Sequence, residues 1–87
     1  MADVHLPRSL LQLFPQAERR STVEAGTVDE LIGRLDQRWP GMRDRLCTDG
    51  PRLREHINVF VDGDRAGLST VLTARSVVHV IPAVSGG

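Results

Sequence analysis

No lysine occurs among the 87 residues; all 11 basic side chains are arginine. Eleven aspartates and glutamates balance them and leave no net charge. Nothing in that balance favours nucleic acid, whose phosphates call for a strong basic excess. No apolar run approaches the roughly 18 residues of a membrane span. The opening "MADVHLPRSLLQLFPQ" places an acid at its third position. It also lacks the continuous apolar stretch of about 7–15 residues that a secretory leader needs. A single cysteine, Cys47, excludes an internal disulfide and removes the case for a thiolate metal cage. There is no repeat, no low-complexity stretch and no phosphate loop of the Walker type. No nucleophile stands with a base and an orienting group in a recognisable pattern. These absences predict a cytoplasmic domain with neither a membrane nor a nucleic-acid partner. The missing lysines have two readings: arginine-biased codon usage, or a chemical reason to avoid side-chain amines.

What is present suits one small domain. Hydrophobic residues make up 40% of the chain, enough for a modest core. The clearest local signal is "TVDELIGRLDQRWPG". Thr27 is an N-cap candidate, and Glu30 three residues on completes a capping box. Asp29 and Glu30 bring negative charge to the first turn, where the helix dipole favours it. Val28, Leu31, Ile32, Leu35 and Trp39 share one face at helical spacing, and Pro40-Gly41 stops the helix. A helix this short is not stable alone and needs a sheet beneath its apolar stripe.

The other segments supply that sheet. "DVHLP" (Asp3–Pro7) alternates as a strand, and "ERRSTVEA" (Glu18–Ala25) can return as its hairpin partner. Between them "RSLLQLFPQ" (Arg8–Gln16) is apolar but contains Pro15, and it is expected to form a loop or turn. Met42 and Leu46 suit a short helical turn, followed by a loop through Asp49, Gly50 and Pro51. "INVFVDGD" is a strand with Ile57, Val59 and Val61 on one face, Asn58 and Phe60 on the other, and a turn at Asp62-Gly63. The stretch from Arg65 to Ser76 is expected to be irregular, anchored by Leu68 and Leu72. "SVVHVIPAV" (Ser76–Val84) is apolar on both faces and is placed at the centre of the sheet.

This order gives a two-layer α+β domain. If the first and last strands are parallel neighbours at the centre, the arrangement is a β-grasp: a mixed sheet of four to five strands packed on one main helix. The expected core is then Val4, Leu6, Leu31, Ile32, Leu35, Val59, Val61, Val78 and Val80. His5, Phe60, His79 and Ile81 fall on the opposite face.

A small β-grasp chain whose last strand runs through "VHVIPAVSGG" to Gly86-Gly87 resembles the ThiS/MoaD family of ubiquitin-like sulfur carrier proteins. "INVFVDGD" is similar to the family's late strand and turn. The length leans toward the MoaD-like and CysO-like members. Many relatives carry Asp-Gly-Asp or Asp-Gly-Glu just before the last strand, where this chain has Ala74-Arg75-Ser76. The resemblance divides the chain into a β-grasp domain, residues 1–83, and a flexible Gly-Gly tail, residues 84–87.

The resemblance also implies a chemistry. The Gly87 carboxylate would be adenylated by an ATP-dependent adenylyltransferase of the ubiquitin-activating type. A sulfurtransferase or another sulfur source would convert it to a thiocarboxylate, and a biosynthetic acceptor enzyme would take the sulfur. The product could be molybdopterin, cysteine, thiazole or another sulfur-containing metabolite. On this reading the chain binds no cofactor, its ATP is used by the partner, and it is a co-substrate rather than an enzyme. Val84, Ser85 and Gly86 would enter the partner's site behind Gly87, because glycine has no Cβ to clash in a narrow channel. An acyl-adenylate reacts with amines, which gives the absent lysines a possible purpose. Phe60, His79 and Ile81 are expected to form a docking patch beside the tail; the competing expectation covers Phe60 with Leu13 or Phe14. Two other functions stay open: a ubiquitin-like modifier joined to lysines, and a β-grasp interaction module with an inert tail. Cys47, with Arg43, Arg45 and Arg52 near it in sequence, is either a persulfide carrier or a small buried residue. His5 and His79 share a face, but with no evident carboxylate partner they suggest no metal site.

Overall fold

Thr27 sets the start of the main helix. Its hydroxyl accepts the Glu30 N–H at 3.2 Å, satisfying one of the orphan donors of the first turn. The helix, α2, runs Val28–Arg38 and buries Val28, Leu31, Ile32 and Leu35 of the apolar stripe read from the sequence; Trp39, its fifth member, is the C-cap and is only partly buried. Each such side chain withdrawn from water is worth about 1.5–3 kcal/mol. The helix ends before Pro40, and Gly41 turns at φ 100°, a left-handed value that favours glycine. In the computed structural model, which describes residues 1–82, this helix lies on a five-stranded sheet.

The sheet is built from β1 (Ala2–His5), β2 (Arg20–Val23), β5 (Ile57–Val61), β6 (Asp64–Ala66) and β7 (Val77–Pro82). Its order is β2-β1-β7-β5-β6. The first and last strands are parallel neighbours, with Val4 opposite Val78 and His5 opposite His79. β7 pairs antiparallel with β5, Phe60 opposite His79 and Asn58 opposite Ile81. This is the expected β-grasp, with the last strand central. All nine expected core residues are buried. Alternation along each strand sends Val4, Val23, Val59, Val61, Val78 and Val80 toward α2.

Three segments depart from the sequence reading. Arg8–Leu13 is a helix, α1, not a loop. Pro15 does not break it, because Pro15 follows its end; Phe14 has already left the helical region, at φ −125° and ψ 79°, as a following proline favours. Leu10 ties this helix to the core. The segment after α2 forms the expected short helix, α3 (Met42–Leu46), but then pairs as a small hairpin, β3 (Cys47–Thr48) with β4 (Arg52–Leu53). Part of the expected irregular stretch is also β6, hydrogen-bonded to β5 across the Asp62-Gly63 turn. Both turn residues have positive φ, 52° and 88°, as a tight two-residue hairpin requires. The last strand, expected to reach Val84, is described as far as Pro82.

Candidate functional site

The outer face of the sheet, away from α2, gathers the residues expected there. The strand registers align Arg20, His5, His79, Phe60 and Arg65 in one row across all five strands. His5 and His79 stack, ring centroids 4.5 Å apart and planes 21° from parallel. Phe60 is half-buried beside His79, and Ile81 is 44% exposed one step nearer the strand end. Phe14 does not cover Phe60: it packs against the core, with its ring turned toward Gly41. Phe60, His79 and Ile81 therefore lie together on the outer face, and His5 joins them by stacking.

Charges frame the patch. Asp3 lies on the same face and accepts the Arg20 Nε–H at 3.1 Å, while Arg20 Nη2 stands 2.8 Å from Asp3 Oδ2. The Arg20 hydrogen bond holds the Asp3 carboxyl below the usual carboxylate range, against the desolvation that opposes it. His5 Nε2 is 3.3 Å from Asp3 Oδ2, which gives the stacked pair the carboxylate neighbour that sequence reading did not find. Among the described residues no group of three or more His, Cys, Asp or Glu could hold a metal ion. At the far edge Arg65 donates to the Asn58 side-chain carbonyl at 3.0 Å. Arg20, Asp3 and Arg65 escaped sequence reading because only register places them beside the patch; period-two alternation alone would have put them on the right face.

Cys47 points away from all of this. It is buried next to Leu46, and burial pushes its thiol up from the ordinary value; Arg43 opposes that shift without overcoming it. A thiolate carrier needs the opposite environment, so the small-buried-residue reading fits. The turn that departs from Asp-Gly-Asp is closed by hydroxyls instead. The buried Ser76 Oγ accepts the Thr73 N–H at 2.9 Å, and Thr73 Oγ1 accepts the Arg75 N–H at 3.3 Å. Asp62 then ties the start of β7 to β5, its carboxylate accepting the Val77 N–H at 2.8 Å.

Past Pro82 lie Val84, Ser85, Gly86 and Gly87, the expected tail and reactive end, and these fall outside the described residues. The strand that leads to them is the central one, held by a ladder on each side. A family model named ThiS family matches residues 6–87. The chain belongs to the ThiS family. Solved structures agree across the whole length. CysO of Amycolatopsis orientalis, determined in complex with BexX, is 26% identical with a TM-score of 0.87, covering 100% of both chains. SAMP1, a small archaeal modifier protein from Haloferax volcanii, is 28% identical with a TM-score of 0.77, over 99% of this chain and 98% of that one. CysO of Mycobacterium tuberculosis shares the fold at a TM-score of 0.83, with 22% identity over 97% of this chain and 100% of that one. Comparison with curated proteins gives no match. The chain is thus a member of a ubiquitin-like sulfur carrier or modifier family. Among its described residues no helix is long and apolar enough to cross a membrane.

Proposed function

We propose that this ThiS-family chain is a sulfur carrier whose reactive group is the Gly87 carboxylate. The observation that carries the reading is the family match, which takes in the central strand and runs on through Gly87. A carboxylate is a poor electrophile, so sulfur must follow activation. The Gly87 carboxylate attacks the α-phosphorus of ATP and pyrophosphate leaves. Sulfur at the level of hydrosulfide then attacks the acyl carbon and AMP leaves, giving a thiocarboxylate. ATP and the activating machinery belong to an adenylyltransferase partner of the ubiquitin-activating type. An acceptor enzyme of a sulfur-containing metabolite or cofactor takes the sulfur. Phe60, His79 and Ile81 dock these partners, and Val84, Ser85 and Gly86 follow Gly87 into their sites. The CysO of Amycolatopsis orientalis being found in complex with BexX supports a function exercised through a partner.

Intact-mass spectrometry tests this. With ATP, a candidate activating enzyme and a sulfur source, the chain should gain the mass of one oxygen-to-sulfur exchange at Gly87. Truncation of Gly87 should abolish the gain and leave the circular dichroism unchanged. An unchanged mass with every candidate activating enzyme of the source cell would end the proposal. The likeness to SAMP1 favours one second reading, a modifier joined to target lysines. High-mass lysine-linked adducts in place of the sulfur gain would establish it.

A further inference from the structure

β7 sends alternate residues to opposite sides as it ends: Ile81 is exposed on the outer face, while Pro82 lines a groove at the end of the sheet. That groove, about 510 Å³, is formed where α1 and the β3–β4 hairpin meet the start of β5. Leu13, half of it exposed, and Ile57 make its apolar wall. It runs into a second basin of about 630 Å³ toward Gly41. Three residues line both basins: Leu13, Arg45 and Arg54. Arg54 is oriented by donating from Nε to the Asp44 carbonyl at 2.8 Å. Among the described residues neither arginine makes an ion pair. The two acids of the groove stand apart, Glu55 lining only the first basin and Asp44 only the second. The centre is thus a pair of guanidiniums beside an exposed leucine.

We propose that this groove is a second docking surface, and that its occupant is a segment of the activating enzyme carrying a carboxylate next to an apolar side chain. The carboxylate meets Arg45 and Arg54, which suit planar, two-point recognition; the apolar side chain meets Leu13 and Ile57. The position argues for this partner above others. Any protein that takes up the chain beyond Pro82 must lie against this end of the sheet, and the groove faces it from the side opposite to Phe60, His79 and Ile81. The two surfaces flank the described end of β7 from its two faces. This inference rests on the sulfur-carrier reading for the partner's identity.

The test is carrier-dependent ATP–pyrophosphate exchange with the source cell's candidate adenylating enzyme. The full-length chain is compared with its Arg45→Glu/Arg54→Glu variant over a range of salt. The expected result is at least a tenfold rise in KM for the chain, an unchanged kcat, and loss of the salt dependence seen with the parent. Circular dichroism melting checks folding, and Arg45→Gln/Arg54→Gln serves if the reversal variant does not fold; it should raise KM about threefold to tenfold. A KM within twofold of the parent in a folded variant overturns the second surface while leaving the carrier reading intact. A fall in kcat at constant KM also overturns it, because that is positioning rather than docking. No exchange with the parent chain, for every candidate enzyme, removes the carrier reading and this inference with it.

Discussion

Gly33 sits in the middle of α2, where alanine would be expected, and a single side chain explains its neighbourhood. A Cβ built there would stand 3.2 Å from Arg43 Nη2 and meets nothing else within 4 Å. Arg43 is held in place: Nη1 lies 2.9 Å from Asp29 Oδ1, and Nη2 donates to the Asp29 carbonyl at 2.9 Å. Gly33→Ala therefore sets two effects against each other. Alanine gains about 0.8–1 kcal/mol of helix propensity over glycine. Ordinary contact needs the guanidinium to yield by about 0.3 Å, which keeps its hydrogen bonds near the ~3.2 Å limit. Weakening one such bond costs about 0.3–0.5 kcal/mol of the ~1 kcal/mol it contributes. The pair is half-exposed, so the cost stays at the low end. The net is a gain of about 0.5 kcal/mol, or roughly 2–4 °C in Tm at about 4–8 °C per kcal/mol for a domain of this size. In an Arg43→Met background the obstruction is gone, and the same substitution should gain about 1 kcal/mol. Thermal and urea melts of the four chains give the cycle. Equal gains in both backgrounds, or a loss in both, would refute the reasoning.

Two further predictions concern titration. The folded Cys47 thiol is raised by burial, so its contribution to stability is complete below the unfolded thiol's ordinary value and is lost as pH rises through the folded one. The urea midpoint of the parent should fall on the alkaline side relative to Cys47→Ala, and Ellman's reagent should react with Cys47 only as fast as the chain opens. Asp3 behaves in the opposite sense. Its folded carboxyl is lowered by the Arg20 hydrogen bond, so its stabilisation is present above the ordinary carboxylate value and is lost as pH falls through the folded one. Asp3→Asn should flatten the acid limb of stability against pH, and added salt should shrink the difference between the two chains.

The sequence made the larger elements legible because each carried two agreeing signals. α2 had a cap and a stripe; β5 had alternation and a following turn; β7 had an apolar run on both faces and the terminal motif of the resemblance. α1 was hidden because its two ends are prolines and no side chain caps it; at six residues, it is held by Leu10's burial rather than by its own propensity. The β3–β4 hairpin was hidden for a related reason. Two residues per strand are too few to show a period, and its Gly50, at φ 121°, signals a turn without signalling what the turn joins. Alternation placed His5, Phe60, His79 and Ile81 on one face correctly. That His5 stacks on His79 depends on the parallel register of β1 with β7, a long-range match between the two ends of the chain that no local pattern encodes.

The central place of β7 has a mechanical consequence. Tension applied beyond Pro82 along the strand axis loads the ladder to β1 and the ladder to β5 together, in shear. Their hydrogen bonds must then fail as a set, whereas an edge strand such as β6 can be peeled one bond at a time. A pull on the chain beyond Pro82 therefore works against the whole sheet and does not unravel the domain one bond at a time.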